Sequence, residues 1–115
     1  MEPAFFSRIA HLADGRVFPG VAPAQTAPPY LTYRLVSGAR DWTLSGPSGC
    51  RRASIQLNAW ADTPKEAALL IEQAFSLISK PGPDFSCAGA DDLSAEFEPL
   101  AGGLAGAAME FHLIR

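Results

Sequence analysis

The sequence has little of the residue types from which catalytic and metal sites are usually built. It contains two cysteines, Cys50 and Cys87, and neither belongs to a CxxC pair. Its two histidines, His11 and His112, have no cysteine or carboxylate at metal-ligand spacing, whereas zinc needs three or four convergent protein ligands. No Walker loop, GxGxxG motif or nucleophile elbow is present. We therefore predict no catalytic, cofactor-binding or metal-binding residues and no enzyme.

Long apolar runs and an excess of positive charge are also missing. No run reaches the ~18–20 residues that a helix needs to cross a bilayer. The net charge of −3 and the pI of about 5.2 disfavour a phosphate-binding role. We therefore expect no membrane association and no sequence-specific nucleic-acid binding. The 48% hydrophobic content is enough to build a core, and the length fits a single domain over residues 1–115.

The charges are divided unevenly along the chain. Residues 1–61 carry six arginines against three acids, whereas residues 62–115 carry three basic residues against nine acids. Solvated faces are one interpretation of this division. The other is a head-to-tail contact, in which the basic patch of one copy meets the acidic patch of the next. The pairs Asp91-Asp92 and Glu96/Glu98 are expected to be solvated, with a cation or acid/base role as the alternative.

Two helices are predicted. A short N-terminal helix covers residues 3–12, since Phe5, Ile9 and Leu12 fall on one stripe. The main helix covers residues 64–79. Its start is marked by Thr63 as N-cap, proline at the first helical position and glutamate at the third. Its predicted apolar stripe consists of Ala67, Leu70, Ile71, Ala74, Phe75 and Ile78.

Alternating or β-branched segments predict five strands, at residues 16–18, 30–36, 52–62, 93–99 and 105–114. In the second strand Leu31, Tyr33 and Leu35 are expected to face one way. A Gly-Gly turn is expected to join the last two strands into a hairpin. Residues 37–49 are expected to form a protruding loop or a small β-excursion, and residues 81–92 a flexible stretch.

The predicted fold is therefore α+β. A mostly antiparallel sheet of four or five strands packs one face on the main helix, and the short N-terminal helix closes an edge or an end.

Exposed aromatic residues point to contacts with other molecules. Trp60 lies on the polar side of its strand, so either a second element such as the N-terminal helix covers it or another subunit does. Trp42, with Arg40 beside it, lies in a glycine-flanked segment that could order against a partner. Tryptophan and arginine are residue types that anchor interfaces. We predict Arg40, Trp42, Arg51 and Trp60 as oligomer or partner contacts.

Two blocks of sequence resemble a known family. The first is Gly15-Arg16-Val17-Phe18-Pro19, with a proline-rich connector leading to Pro29-Tyr30-Leu31-Thr32-Tyr33. The second is Ser54-Ile55-Gln56-Leu57-Asn58-Ala59-Trp60-Ala61-Asp62-Thr63, followed by Glu66-Ala67. Together they resemble the tail terminator family of long-tailed bacteriophages, also called tail completion or tail-to-head joining proteins.

The resemblance implies a structural subunit that forms a homo-oligomeric ring, typically a hexamer, on the last ring of the tail tube. Such a ring ends tube polymerisation and presents a surface to the head–tail connector protein. The implied location is the virion tail, or a phage-like particle of a prophage or gene transfer agent, with assembly in the host cytoplasm. The alternatives are a head–tail connector or neck protein, and a small cytoplasmic α+β enzyme or ligand-binding domain.

Overall fold

A computed structural model describes the backbone of residues 2–23, 26–43, 46–80, 82–83, 85–93 and 105–115, and their side chains except at positions 2, 39–43, 46–50 and 105. The chain forms two α-helices, one 3-10 helix and five strands over these residues. In chain order they are α1 (Glu2–Ile9), the 3-10 helix (Leu12–Gly15), β1 (Val17–Pro19), β2 (Tyr30–Thr43), β3 (Gly46–Ala61), α2 (Pro64–Ile78), β4 (Ser86–Leu93) and β5 (Ala105–Ile114).

The strands form one mixed sheet in the order β1-β2-β3-β5-β4. Strand β1 runs parallel to β2, and the other neighbours are antiparallel. Both α-helices contribute to the core on one face of the sheet, with buried side chains from β2, β3 and β5. The α+β prediction is thus confirmed, with the difference that the edge strand β1 makes the sheet mixed.

Local sequence signals position α2. The Thr63 side chain accepts a hydrogen bond from the Glu66 backbone N–H at 3.2 Å, so the predicted N-cap is present. Five of the six predicted stripe residues are buried: Ala67, Leu70, Ile71, Ala74 and Ile78. Phe75 is the exception. It is 38% exposed, so its assignment to the buried stripe was wrong.

The N-terminal helix packs on the same side of the sheet as α2. The ring of Phe5 lies 6.0 Å from that of Tyr33 and 5.6 Å, edge-on, from that of Phe111. Arg8 donates from Nη1 to the carbonyl oxygens of Ile78, at 3.2 Å, and Lys80, at 2.5 Å. These carbonyls lie at the C-terminal end of α2, where helices leave acceptors without an internal partner. Arg8 therefore fixes α1 to the end of α2.

A left-handed turn separates α1 from β1. The predicted helix was too long, because α1 ends at Ile9 and a 3-10 helix follows. Ala13, Asp14 and Gly15 have φ angles of 51°, 54° and 83°, values that a right-handed helix does not allow. The turn directs the chain into β1, beside β2.

Two segments extend the sheet beyond the predicted strands. Residues 37–49 were expected to form a protruding loop or a small β-excursion, and the structure has the second alternative, a β-hairpin arm, since β2 runs to Thr43 and β3 begins at Gly46. The expected flexible stretch contains β4, which pairs with β5. The predicted strand at 93–99 has only Leu93 among the described residues, and the Gly-Gly turn lies outside them.

Candidate assembly surface

The sheet face opposite the helices carries a two-dimensional array of polar side chains, here called the open face. Along β3, Ala53, Ile55, Leu57, Ala59 and Ala61 are buried toward the helices, so the alternate residues point the other way. In the described parts of the chain, no helix covers this face. The proposed shielding of Trp60 by the N-terminal helix is therefore wrong, because α1 packs on the opposite side.

Trp60 is instead half-buried among open-face neighbours. Its indole N–H donates to the Thr32 hydroxyl at 3.4 Å, and Thr32 is only 5% exposed. Tyr30 is the register partner of Trp60 on β2. Burial raises the pKa of the Tyr30 phenol above its ordinary value of 10.0. This end of the open face is accordingly its most apolar part.

One row of the open face has opposite charges at its two ends. Its four members are register partners on adjacent strands. Arg34 on β2 pairs with Gln56 on β3, and Gln56 pairs with Glu110 on β5. Glu110 in turn pairs with Asp91 on β4. The guanidinium of Arg34 donates to the Gln56 side-chain carbonyl at 3.1 Å. Four adjacent strands span about 14 Å. The row is thus basic at the β2 side of the sheet and acidic at the β4 side.

A hydrogen-bonded cluster lies beside the acidic end of this row. His112 Nε2 is 2.6 Å from Asp91 Oδ2 and 3.7 Å from Glu110 Oε2, and its Nδ1 is 2.9 Å from Ser54 Oγ. The ligand atoms of the histidine and the two carboxylates lie within 4.8 Å of one another. These are ligand types that divalent metals use. In a serine–histidine–aspartate chain, the histidine can also accept the serine proton while the aspartate orients the imidazole ring. The side chains of His112 and Asp91 are 39% and 67% exposed, so the cluster lies on an open surface.

This cluster was not predicted from the sequence. Its members come from β3, β4 and β5, and β4 was not predicted as a strand. Strand register, not sequence spacing, brings Asp91 next to His112. The one signal in the sequence was the pair Asp91-Asp92, which was expected to be solvated, with a cation or acid/base role as the alternative.

The hairpin arm, residues 39–43 and 46–51, contains three of the four predicted contact residues. Arg40 is the register partner of Arg51, and Trp42 is that of Pro47. Arg51 also exchanges backbone hydrogen bonds with Arg115, at 3.2 and 2.9 Å. Arg40 on β2, Arg51 on β3 and Arg115, the residue directly after β5, therefore share one row at the base of the arm. Trp60 lies nine residues further along β3 than Arg51, about 30 Å away, so the structure does not bring it together with the other three.

A family model described as "Tail completion protein gp17" matches residues 7–110 of the chain. The chain belongs to this family. The match begins within α1 and ends within β5, so it covers nearly all of the helix–sheet architecture. No curated protein matches the sequence.

Family membership gives the tail completion chain a structural role in a phage tail, with partners in tail and head assembly in general. It implies a location in the virion tail and argues against an enzymatic role. Over the described residues, no helix is long and apolar enough to span a membrane.

Proposed function

We propose that the chain forms a ring of six copies on the end of a tail tube. The ring stops tube polymerisation and provides the surface to which the head–tail connector binds. The observation that supports this function best is the hairpin arm. It extends past the strands that the helices cover, as expected of an element that contacts a neighbouring molecule.

The arm lacks the partners that stabilise the rest of the sheet. The register of β3 with β5 extends to Arg52 of β3, and Arg51 forms two further backbone hydrogen bonds with Arg115, directly after β5. Beyond that point, among the residues described, β3 pairs with β2 alone. The five arm residues on β2 extend about 17 Å. A two-stranded ribbon without a third strand or a packed face is only marginally stable in water, so docking on a partner would stabilise it.

The residue types in the arm suit a protein partner. Arg40, Arg51 and Trp42 are of the types that contribute most to interface energies. The uneven charge of the two parts of the chain favours a head-to-tail contact between copies, which closes into a ring when the rotation between neighbours permits. We include Trp60 as a second contact at the other end of the open face.

The proposal is tested by the morphology of particles assembled without this protein. We expect tails of uncontrolled length that fail to join heads, seen by negative-stain electron microscopy. Tails of normal length would contradict a terminator. Normal tails combined with co-purification of the chain with portal-bound heads would indicate a neck protein instead.

The role of the arm is tested by the double variant Arg40→Ala/Trp42→Ala. We expect a folded monomer, with unchanged far-UV circular dichroism, that no longer assembles on tube ends. The matched control is Lys65→Ala/Leu69→Ala, which removes a cation and an exposed apolar side chain from α2 and should assemble normally. Loss of the folded state in the arm variant would show that the arm belongs to the core.

A further inference from the structure

The sheet has two long unpaired edges of opposite charge. Strand β1 covers β2 only from Leu31 to Tyr33. Beyond Tyr33, no described strand pairs with the outer edge of β2. At the other end of the sheet, β4 is the last strand in the order, and its outer edge has no described neighbour. Open edges of this kind readily pair with another chain.

The uncovered part of the β2 edge begins with a cation and two aliphatic side chains. Arg34 is exposed, and Leu35 and Val36 are 48% and 47% exposed, among the most exposed large hydrophobic residues of the described chain. Leu35 lies two residues after the buried Tyr33, so the alternation that buries Leu31 and Tyr33 would bury Leu35 as well if a neighbour were present. This short segment therefore has the composition of an interface.

The β4 edge offers the complementary surface. Asp91 and Asp92 are exposed, and Cys87, Ala90 and Leu93 on the same strand are half-buried. Glu110 on β5 lies next to Asp91 and adds a second carboxylate on the open face. A carboxylate pair binds a guanidinium through charge-assisted, bidentate hydrogen bonds. Within one copy, this acidic end is about 14 Å from Arg34 across the sheet.

We propose that the β2 edge at residues 34–36 docks on the β4 edge of a second copy, with Arg34 facing the Asp91 carboxylate. This inference rests on the proposed ring function and specifies its subunit contact. Three antiparallel steps separate β2 from β4, so the two strands run in opposite directions. Placed side by side, copies with the same orientation therefore present antiparallel edges. Arg34 and Asp91 both lie on the open face, so the contact keeps the open faces of adjacent copies on one side.

The contact is tested by charge reversal, with assembly measured by analytical ultracentrifugation at about 50 mM salt, where surface charges are weakly screened. Arg34→Glu places an acid against Asp91, and Asp91→Arg places two cations in contact. We expect each variant alone to associate roughly 100-fold more weakly than the natural chain. The matched control is Asp62→Arg, an exposed charge reversal between β3 and α2, which should associate normally.

Complementation separates the contact from folding. An equimolar mixture of the Arg34→Glu and Asp91→Arg chains contains only matched contacts if the two alternate, so we expect it to regain rings of an even number of copies. The double variant in one chain should regain assembly as well. Since both variants must be folded to complement each other, recovery also excludes unfolding as the cause of the single-variant defects.

Three results would overturn the edge contact: normal assembly by both single variants, defective variants that fail to complement each other, or a natural chain that stays monomeric at millimolar concentration. None of these results decides the proposed function. That function is tested by tail length in particles lacking the protein, which does not depend on which edge is used. Conversely, normal tails without the protein would end the terminator function even if the edges pair.

Discussion

Leu31 and Leu35 on β2 provide a direct test of where the core ends. Both lie on the helix side of the same strand, but Leu31 is fully buried and Leu35 is 48% exposed. Truncation of a buried leucine to alanine costs about 3–5 kcal/mol, through lost transfer energy and the cavity left behind. A half-exposed leucine loses only about 1 kcal/mol. The same chemical change should therefore differ several-fold in its effect on the free energy of unfolding.

These values translate into separable melting temperatures. For 115 residues the entropy of unfolding is about 0.24 kcal/mol/K. Leu31→Ala should then lower the Tm by about 12–20 °C, and Leu35→Ala by about 4 °C. Calorimetry of the monomer, at a concentration too low for association, measures both. Equal losses of Tm in the two variants would contradict the conclusion that the core ends at Tyr33 along β2. A Leu35→Ala chain that loses only about 4 °C in Tm but assembles poorly would fit the edge contact.

Two further changes test local features. Thr63→Ala removes the acceptor for the Glu66 N–H and should lower the free energy of unfolding, measured with denaturant, by about 1 kcal/mol. Thr63→Ser, the control, should retain most of the stability. An alanine variant as stable as the natural chain would contradict the N-cap. Because burial raises the pKa of Tyr30, the folded state holds that phenolic proton more tightly than the unfolded state. The contribution to stability is complete below pH 10.0 and is lost as the pH rises through the raised folded value. Tyr30→Phe should flatten this part of the stability profile, and an unchanged profile would contradict the assignment.

Features encoded over a few residues were predictable from the sequence. The start of α2 depends on Thr63 and the three residues after it, and the structure has the expected N-cap bond. The period-two alternation that predicted a strand at 105–114 places Met109, Phe111 and Leu113 on one side of β5, where all three are buried. In both cases the signal and its structural consequence lie within one element.

Features that depend on pairing between distant strands were not predictable. Strand β4 is rich in alanine, glycine and aspartate, residues with low strand propensity, and pairing with β5 makes it a strand. In the arm, glycines and Pro47 resemble a loop in sequence, although the antiparallel register continues to Thr43 and Gly46. The exposure of Leu35 likewise has no signal in the neighbouring sequence, because it depends on how far along β2 the elements that cover this side of the sheet extend.

The same dependence on register bears on how the proposed edge contact would favour a closed ring over uncontrolled pairing. Irregular pairing at Val36 in β2 and at Ala88 in β4 interrupts both edges, and bulges of this kind shorten the stretch of edge with which a neighbouring strand can pair. The opposite charges add selectivity, since two β2 edges would bring Arg34 against Arg34 and two β4 edges would bring Asp91 against Asp91. Only the β2–β4 combination pairs unlike charges. A contact between two different edges repeats from copy to copy with a constant rotation, and that rotation sets the number of copies at which the ring closes.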